Sequence, residues 1–372
     1  MRRLIYIFII GLLLCSYTWA DGSRYASKSL LSEGKWVKIR VDKTGIYKLS
    51  YADLKNMGFS DPSKVSVHGY GGWPLDEDFS KEYIDDVPST PVWRGSDYLL
   101  FYGKGPVKWE YDSSSQTFVH TNNPYSLYGY YFVTDATPTN DMTSVAQASG
   151  ASTRITTYDD YLLHEQELVS VNQSGREFFG EDFSGARPRT ISTFSSIPGI
   201  TDADGKVTMR FISRINSGSG TASLSINDSE LLDITIPSIQ TVSSNVRSYT
   251  KAIPGTTTAL WKGSKSEKNN VVVSYSSSGH TNVRLDYIRM QFVRTLRPYG
   301  ACTFFRSLTS VGNASRFVIS EANSNTLVFD VTDALNVKRV EADLNGSELS
   351  FTIPAGRLRE FVLVQTNQTF PS

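Results

Sequence analysis

Apolar and polar residues alternate most regularly from Asn282 to Leu296, and this stretch reads as one long β-strand. Val283, Leu285 and Tyr287 share one parity, whereas Ile288, Met290, Phe292 and Leu296 share the other. The inward face therefore changes register between Tyr287 and Ile288, which predicts a β-bulge in the central strand of a β-sandwich. The same period-2 pattern recurs on both sides. Val207, Met209 and Phe211 alternate with Thr208 and Arg210. Ala222, Leu224 and Ile226 alternate with serines, and Asn227-Asp228-Ser229 turns the chain into Leu232, Ile234 and Ile236. With Val271, Val273 and Tyr275, these runs predict a sandwich of about eight strands spanning roughly residues 190–298.

Upstream, Val37, Ile39 and Val41 alternate with charged residues, and Lys43-Thr44-Gly45 predicts a hairpin into Ile46 to Leu49. One short helix is expected next. Ser50 and Asp53 form a capping box, Leu54 and Met57 share a face, and Gly58 takes the left-handed position after the last turn, with Phe59 closing over it. Tyr98 to Tyr102 is a fully apolar strand, and Val107, Trp109 and Tyr111 lead through Asp112-Ser113-Ser114-Ser115 to Phe118 as a second hairpin. The Thr-, Ser- and Asn-rich stretch Thr134 to Thr153 marks a connector. Beyond Arg297-Pro298 the strands are shorter. The fold class is thus all-β: tandem β domains including a jelly-roll-like sandwich, with one short helix near the N-terminus. The expected domains are 28–150, 155–298 and a small β unit, 299–372.

Residues 1–20 change the picture before any function is considered. Arg2 and Arg3 precede an apolar run from Leu4 to Cys15, and Ala20 closes it, as in a secretory signal peptide. Leu14 is too bulky for Cys15 to be a lipoprotein anchor of the usual kind. The protein is expected to be exported, to the outer membrane or cell surface, with no transmembrane segment after cleavage. Setting aside Arg2 and Arg3 leaves 35 basic residues against 37 acidic ones, a net charge of −2, and no long run of either sign. Nucleic acid is not an expected partner. Cys302 is then the remaining cysteine, so the fold rests on apolar burial rather than disulfides.

Candidate chemistry is sparse. Cys302 has no neighbour that would lower its pKa and reads as a buried structural thiol. His68, at a strand end before Gly69, superficially resembles a cysteine-peptidase base, but no second strand ending in Cys follows it. His120, His164 and His280 are isolated, and no pair has zinc-ligand spacing. Gly103-Lys104-Gly105-Pro106 lacks the spacing of a phosphate loop. The acidic stretch from Asp76-Glu77-Asp78 to Asp85-Asp86 has no regular calcium-ligand spacing and reads as a solvated loop, and Asp202-Ala203-Asp204-Gly205 reads as a hairpin turn. Trp73, Trp93 and Trp109 could form a sugar-stacking platform, although packing is the better reading. No catalytic, cofactor-binding or metal residues are therefore assigned, and no cofactor is expected.

Seven segments carry a more specific resemblance. They are Thr44-Gly45-Ile46-Tyr47-Lys48-Leu49, Asp61-Pro62-Ser63-Lys64-Val65, Gly69-Tyr70-Gly71-Gly72, Asp97-Tyr98-Leu99-Leu100-Phe101-Tyr102-Gly103, Ser174-Gly175-Arg176-Glu177-Phe178-Phe179-Gly180-Glu181, Phe329-Asp330-Val331-Thr332-Asp333 and Arg359-Glu360-Phe361-Val362. In this order they resemble the N-terminal region of PorU-type sortases of the type IX secretion system of Bacteroidetes, which are gingipain-like cysteine peptidases. Phe329 departs from the Trp common in the family. The resemblance implies that N-terminal β domains precede a peptidase domain, which cleaves the C-terminal signal domain of secreted cargo and attaches the cargo to lipopolysaccharide. None of this chain's residues matches the catalytic positions. The resemblance implies a non-catalytic region whose partners are the peptidase domain, other secretion components and cargo. The alternative is a free-standing cell-surface adhesin or glycan-binding module.

Overall fold

The computed structural model describes residues 26–78, 80, 84–171, 175–185, 187–239, 252–277 and 281–370. The signal peptide, Cys15, Ser174, His280 and the terminal Pro371-Ser372 lie outside them.

The middle of the chain forms two four-stranded sheets packed face to face. One has the order Thr157–Glu165, Thr281–Thr295, Gly205–Ile215, Ile253–Trp261, and the other Arg189–Thr190, Val271–Ser277, Ser219–Ile226, Ser229–Pro237. Numbered one to eight along the chain, these orders are 1-8-3-6 and 2-7-4-5, the topology of a jelly roll. Val207, Met209, Phe211, Leu224, Ile234, Val273, Leu285, Ile288 and Met290 fill the space between the sheets. The Asn227-Asp228 turn has φ values of 50° and 64°, as the two-residue hairpin from Ile226 to Ser229 requires.

The expected bulge is present, but earlier. Arg210 pairs with Tyr287 and Phe211 with Leu285, so Asp286 is the extra residue. The inward face therefore switches between Leu285 and Ile288 at Asp286, and Tyr287 points away from the core. Its ring meets His120 edge-on at 4.7 Å. A large aromatic side chain looked inward by parity because the sequence does not reveal that the outer face of this sheet is also covered.

Two further expectations are corrected. Val37–Val41 and Gly45–Ser50 are not a hairpin: the first pairs with Gly129–Thr134 and the second with Tyr98–Gly103, in different sheets. Asp42 to Thr44 is an inter-sheet corner, where Thr44 Oγ1 accepts from Gly105 N at 3.1 Å and from Trp73 Nε1 at 3.3 Å. Alternation identifies the buried face of a strand but not its neighbour. Asp202 to Gly205 is likewise not a hairpin turn, since Gly205–Ile215 pairs only with strands much later in the chain. Asp202 Oδ1 instead accepts from Lys265 N at 2.8 Å.

The helix is Tyr51–Asn56, and Ser50 Oγ accepts from Asp53 N at 3.0 Å. Gly58, at φ 87°, ends it, and Phe59 N donates back to Leu54 O. The helix closes one end of a core made by Val41, Val67, Leu99, Phe101, Tyr131 and Val133.

Tyr98–Gly103 is buried at every position because each of its faces meets a different core. Leu99 and Phe101 enter the core just described, whereas Tyr98, Leu100 and Tyr102 join Phe329, Val331, Val337, Val362, Val364 and Phe370 from the end of the chain. Phe329 is fully buried there. The C-terminal strands form a five-stranded sheet, Ser144–Val145, Lys338–Val340, Thr326–Asp330, Phe361–Gln365, Cys302–Phe305, and a four-stranded one, Thr153–Ile155, Ser315–Ile319, Glu348–Ile353, Asp343–Asn345. Residues of the connector thus add the strands Ser144–Val145 and Thr153–Ile155 to the C-terminal sheets. Phe305, Phe317, Phe351 and Phe361 pack in the core of this unit. Among the described residues, no helix is long and apolar enough to cross a membrane.

Candidate functional site

The three assemblies meet around a cleft of about 590 Å³. Its walls come from the corner at Asp42 to Thr44, the first strand (Val107–Asp112) of the hairpin Val107–Asn122, the jelly-roll strand Thr157–Glu165 and the strand Cys302–Phe305. The hairpin places Trp109 here. Its partner strand, Thr117–Asn122, lies on the outer face of the jelly roll, where Phe118 N donates to Gln291 Oε1 at 2.9 Å and Gln291 Nε2 donates to Phe118 O at 3.2 Å. Arg289 and Gln291, on the polar parity of the long strand, are buried by this contact.

Arg306 is 1% exposed and forms the floor. Its Nε donates to Glu360 Oε2 at 2.6 Å and its Nη2 to Glu360 Oε1, while Nη1 donates to the Asp159 carbonyl at 3.0 Å and lies 3.7 Å from Asp160 Oδ1. Burial alone would push the guanidinium down, but Glu360 beside it holds it protonated above its ordinary range. Burial pushes the Glu360 carboxyl up, against the pull of Arg306. The guanidinium stands 4.3 Å from the ring centre of Tyr161, which stacks with Trp109 at 4.0 Å and 20°. Arg294 makes the second pair, donating to Asp160 Oδ2 at 2.9 Å and lying over Tyr299 at 3.7 Å.

Cys302 lines the cleft, and burial pushes its thiol up to about 12. Among the described residues, no histidine lines the cleft. His68 is held by Thr137 Oγ1 at 2.8 Å and Ser66 Oγ at 3.2 Å, and burial lowers its pKa. His120 faces Glu165 at 3.1 Å across the hairpin interface. His164 lies between Thr193 Oγ1 at 2.8 Å and Glu181 Oε1 at 2.7 Å, outside the cleft. The last two histidines look isolated in sequence because their carboxylate partners lie 45 and 17 residues away by number.

Lys104 is 3% exposed, with its ammonium 3.7 Å from the Tyr70 ring and 5.0 Å from Trp73. Burial, then the charge of Lys108, pushes it down to about 8. The acidic loop uses carboxylates locally: Asp78 Oδ1 accepts from Ser80 N, and Asp86 Oδ2 accepts from Leu30 N. Among the described residues, no group of three His, Cys, Asp or Glu side chains is arranged to hold a metal ion. Of the three tryptophans singled out in sequence, Trp73 and Trp109 share the cleft, whereas Trp93 packs by Tyr98 in the core joined to the C-terminal unit.

Comparison with known proteins gives one strong likeness. No family model matches the chain, and no curated protein does. The crystal structure of dimeric latent PorU from Porphyromonas gingivalis superposes with a TM-score of 0.82 and 32% sequence identity, covering 93% of this chain. The chain spans 33% of that PorU chain. The insecticidal δ-endotoxin Cry8Ea1 of Bacillus thuringiensis aligns at 10% identity and a TM-score of 0.24, over 61% of this chain and 41% of its own. A Paenibacillus cycloisomaltooligosaccharide glucanotransferase aligns at 8% and 0.19, over 59% and 45%. Neither of these two carries an argument.

Proposed function

We propose that this chain, which is a PorU-like N-terminal region, serves as the non-catalytic β scaffold of a PorU-type sortase of the type IX secretion system. In this reading it works at the outer membrane or cell surface. It presents surfaces to the peptidase domain of the same protein, to other secretion components and to secreted cargo. The cleavage of C-terminal signal domains and the attachment of cargo to lipopolysaccharide belong to the peptidase domain. The observation that carries the reading is the match to one third of PorU along 93% of this chain. The chemistry of the cleft supports it. A nucleophilic cysteine needs a lowered pKa and a base in reach, whereas burial raises the Cys302 thiol and, among the described residues, no imidazole lines the same cleft.

An immunoblot of the source cells with antibody against this chain tests the reading. A band far above 41.4 kDa is expected. A band near that mass would replace it with the alternative, a free-standing adhesin or glycan-binding module. Peptidase activity in the purified chain would overturn the non-catalytic assignment directly.

A further inference from the structure

We propose that the cleft at the junction of the three assemblies binds a neutral oligosaccharide, with Trp109 and Trp73 as its stacking surfaces. The walls supply flat apolar rings: Trp73, Trp109 and Phe304 line the cleft and are only half-buried, Trp109 with one face already stacked on Tyr161, whereas the Tyr299 ring is covered by Arg294 and Arg297. The C–H-bearing face of a pyranose ring packs on such planes, while its hydroxyls need donors and acceptors around the rim of the ring. Asp160, Glu360, Arg294 and Thr332 line the same cleft; all are already hydrogen-bonded to protein groups, but a carboxylate oxygen accepts more than one bond and can still meet a sugar hydroxyl.

The charges argue for a neutral ligand. Arg306 is matched by Glu360 and Arg294 by Asp160, while Asp42 and Lys43 add one charge of each sign to the lining. An anion would meet Asp160 and Glu360, and a cation would meet the two guanidiniums, so the two ion pairs favour neither sign. The ion pairs hold these groups in fixed positions, which lowers the ordering cost of binding hydroxyls. A peptide strand is the poorer fit. The edge strand Cys302–Phe305 is closed at its end by the bridge in which Asp159 N donates to Arg306 O at 3.0 Å, so main-chain pairing is not freely offered. A volume of about 590 Å³ suits roughly two or three sugar rings.

The test is a titration of the purified chain with maltotriose, cellotriose and mannotriose, read by tryptophan fluorescence and saturation-transfer NMR. At least one trisaccharide is expected to bind below about 10 mM. Trp109→Ala and Trp73→Ala are each expected to weaken it about tenfold, as the loss of one stacking plane implies. Trp93→Phe, outside the cleft, should leave it unchanged. Trp109→Ala could unseat the hairpin, so Trp109→Phe, which keeps a ring against Tyr161, is the paired variant. It should melt like the parent and bind about threefold more weakly. Failure of all three sugars to bind, binding indifferent to both tryptophans, or preference for a charged analogue or a tripeptide would overturn the proposal.

Discussion

Phe118 and Gln291 exchange two hydrogen bonds through the backbone of one and the side-chain amide of the other, so that an amide group on the jelly roll pairs with the hairpin as a neighbouring strand would. Both partners are buried. Gln291→Leu leaves the Phe118 N–H without its acceptor and its carbonyl short of a donor. The expected cost is about 2 kcal/mol, within the range for stranded buried polar groups. Urea unfolding of the variant against the parent measures it, and a cost below about 0.5 kcal/mol would mean that the hairpin is held by other contacts.

Arg306 ties together strands that are far apart in sequence. Arg306→Met strands the Glu360 carboxylate and removes a donor from the Asp159 carbonyl. The expected loss is about 3–5 kcal/mol. The double change Arg306→Met, Glu360→Leu removes both charges and should recover much of it, because a buried pair stabilises far less than its broken half destabilises. Equal losses in the single and double variants would contradict this account of the pair.

Acidity should strengthen the hairpin interface. Burial, then the charge of Glu165, pushes the Glu167 carboxyl up from 4.5 to about 7, and burial pushes Asp286 up to about 6 despite Arg210. Raised carboxyl values mean that the folded state binds more protons than the unfolded chain between the two pKa values. The penalty is therefore absent at low pH, grows as pH rises through that window and is complete above it. Tm should fall between about pH 4 and about pH 7, and Glu167→Gln should flatten the fall. Glu167 is an exposed residue, so solvent screening holds its share to about 1 kcal/mol or less. A variant profile parallel to the parent's would show that Glu167 is not responsible.

Cys302 should be inert in the folded protein. With its thiol pushed up to about 12, almost no thiolate exists near neutrality. Iodoacetamide at pH about 8 is expected to label it only after denaturation. Rapid labelling of the native chain would place the thiol in water.

Residues 28–150 produced alone should be a poor folding unit. Ile46, Tyr98, Leu100 and Tyr102 would lose the cover of Phe329, Val362 and Val364. An uncovered apolar sheet face of this kind favours association. The fragment is expected to bind a hydrophobic dye and to aggregate, and a monomeric fragment with sharp amide resonances would refute the expectation.

The period of the sequence carried the individual strands further than their arrangement. The run ending at Leu296, the Asn227-Asp228 turn and the Ser50 cap were readable because each depends on residues within a few positions of one another. The bulge sits at Asp286, and Tyr287 packs on His120, 167 residues away in sequence, a contact that no local pattern encodes. Arg289 and Gln291 followed the rule for solvent-facing positions and are buried for the same reason. The cleft was less legible still. Trp109, Asp160, Arg294, Arg306 and Glu360 come from three parts of the chain, and each looks like an ordinary surface residue until the sheets are assembled.

The doubly covered strand Tyr98–Gly103 also sets an order of events for a chain made from its N-terminus. One of its faces can dry as soon as Val133 has been added, but the other waits for Phe361–Gln365, at the far end of this sequence. Until then Leu100 and Tyr102 stay wet, and the early strands remain open to wrong partners. Assembly of this region is thus a late, long-range closure that fastens the strand Tyr98–Gly103 to the strand Phe361–Gln365. Its pace is governed by the loop that must be closed rather than by the strands themselves.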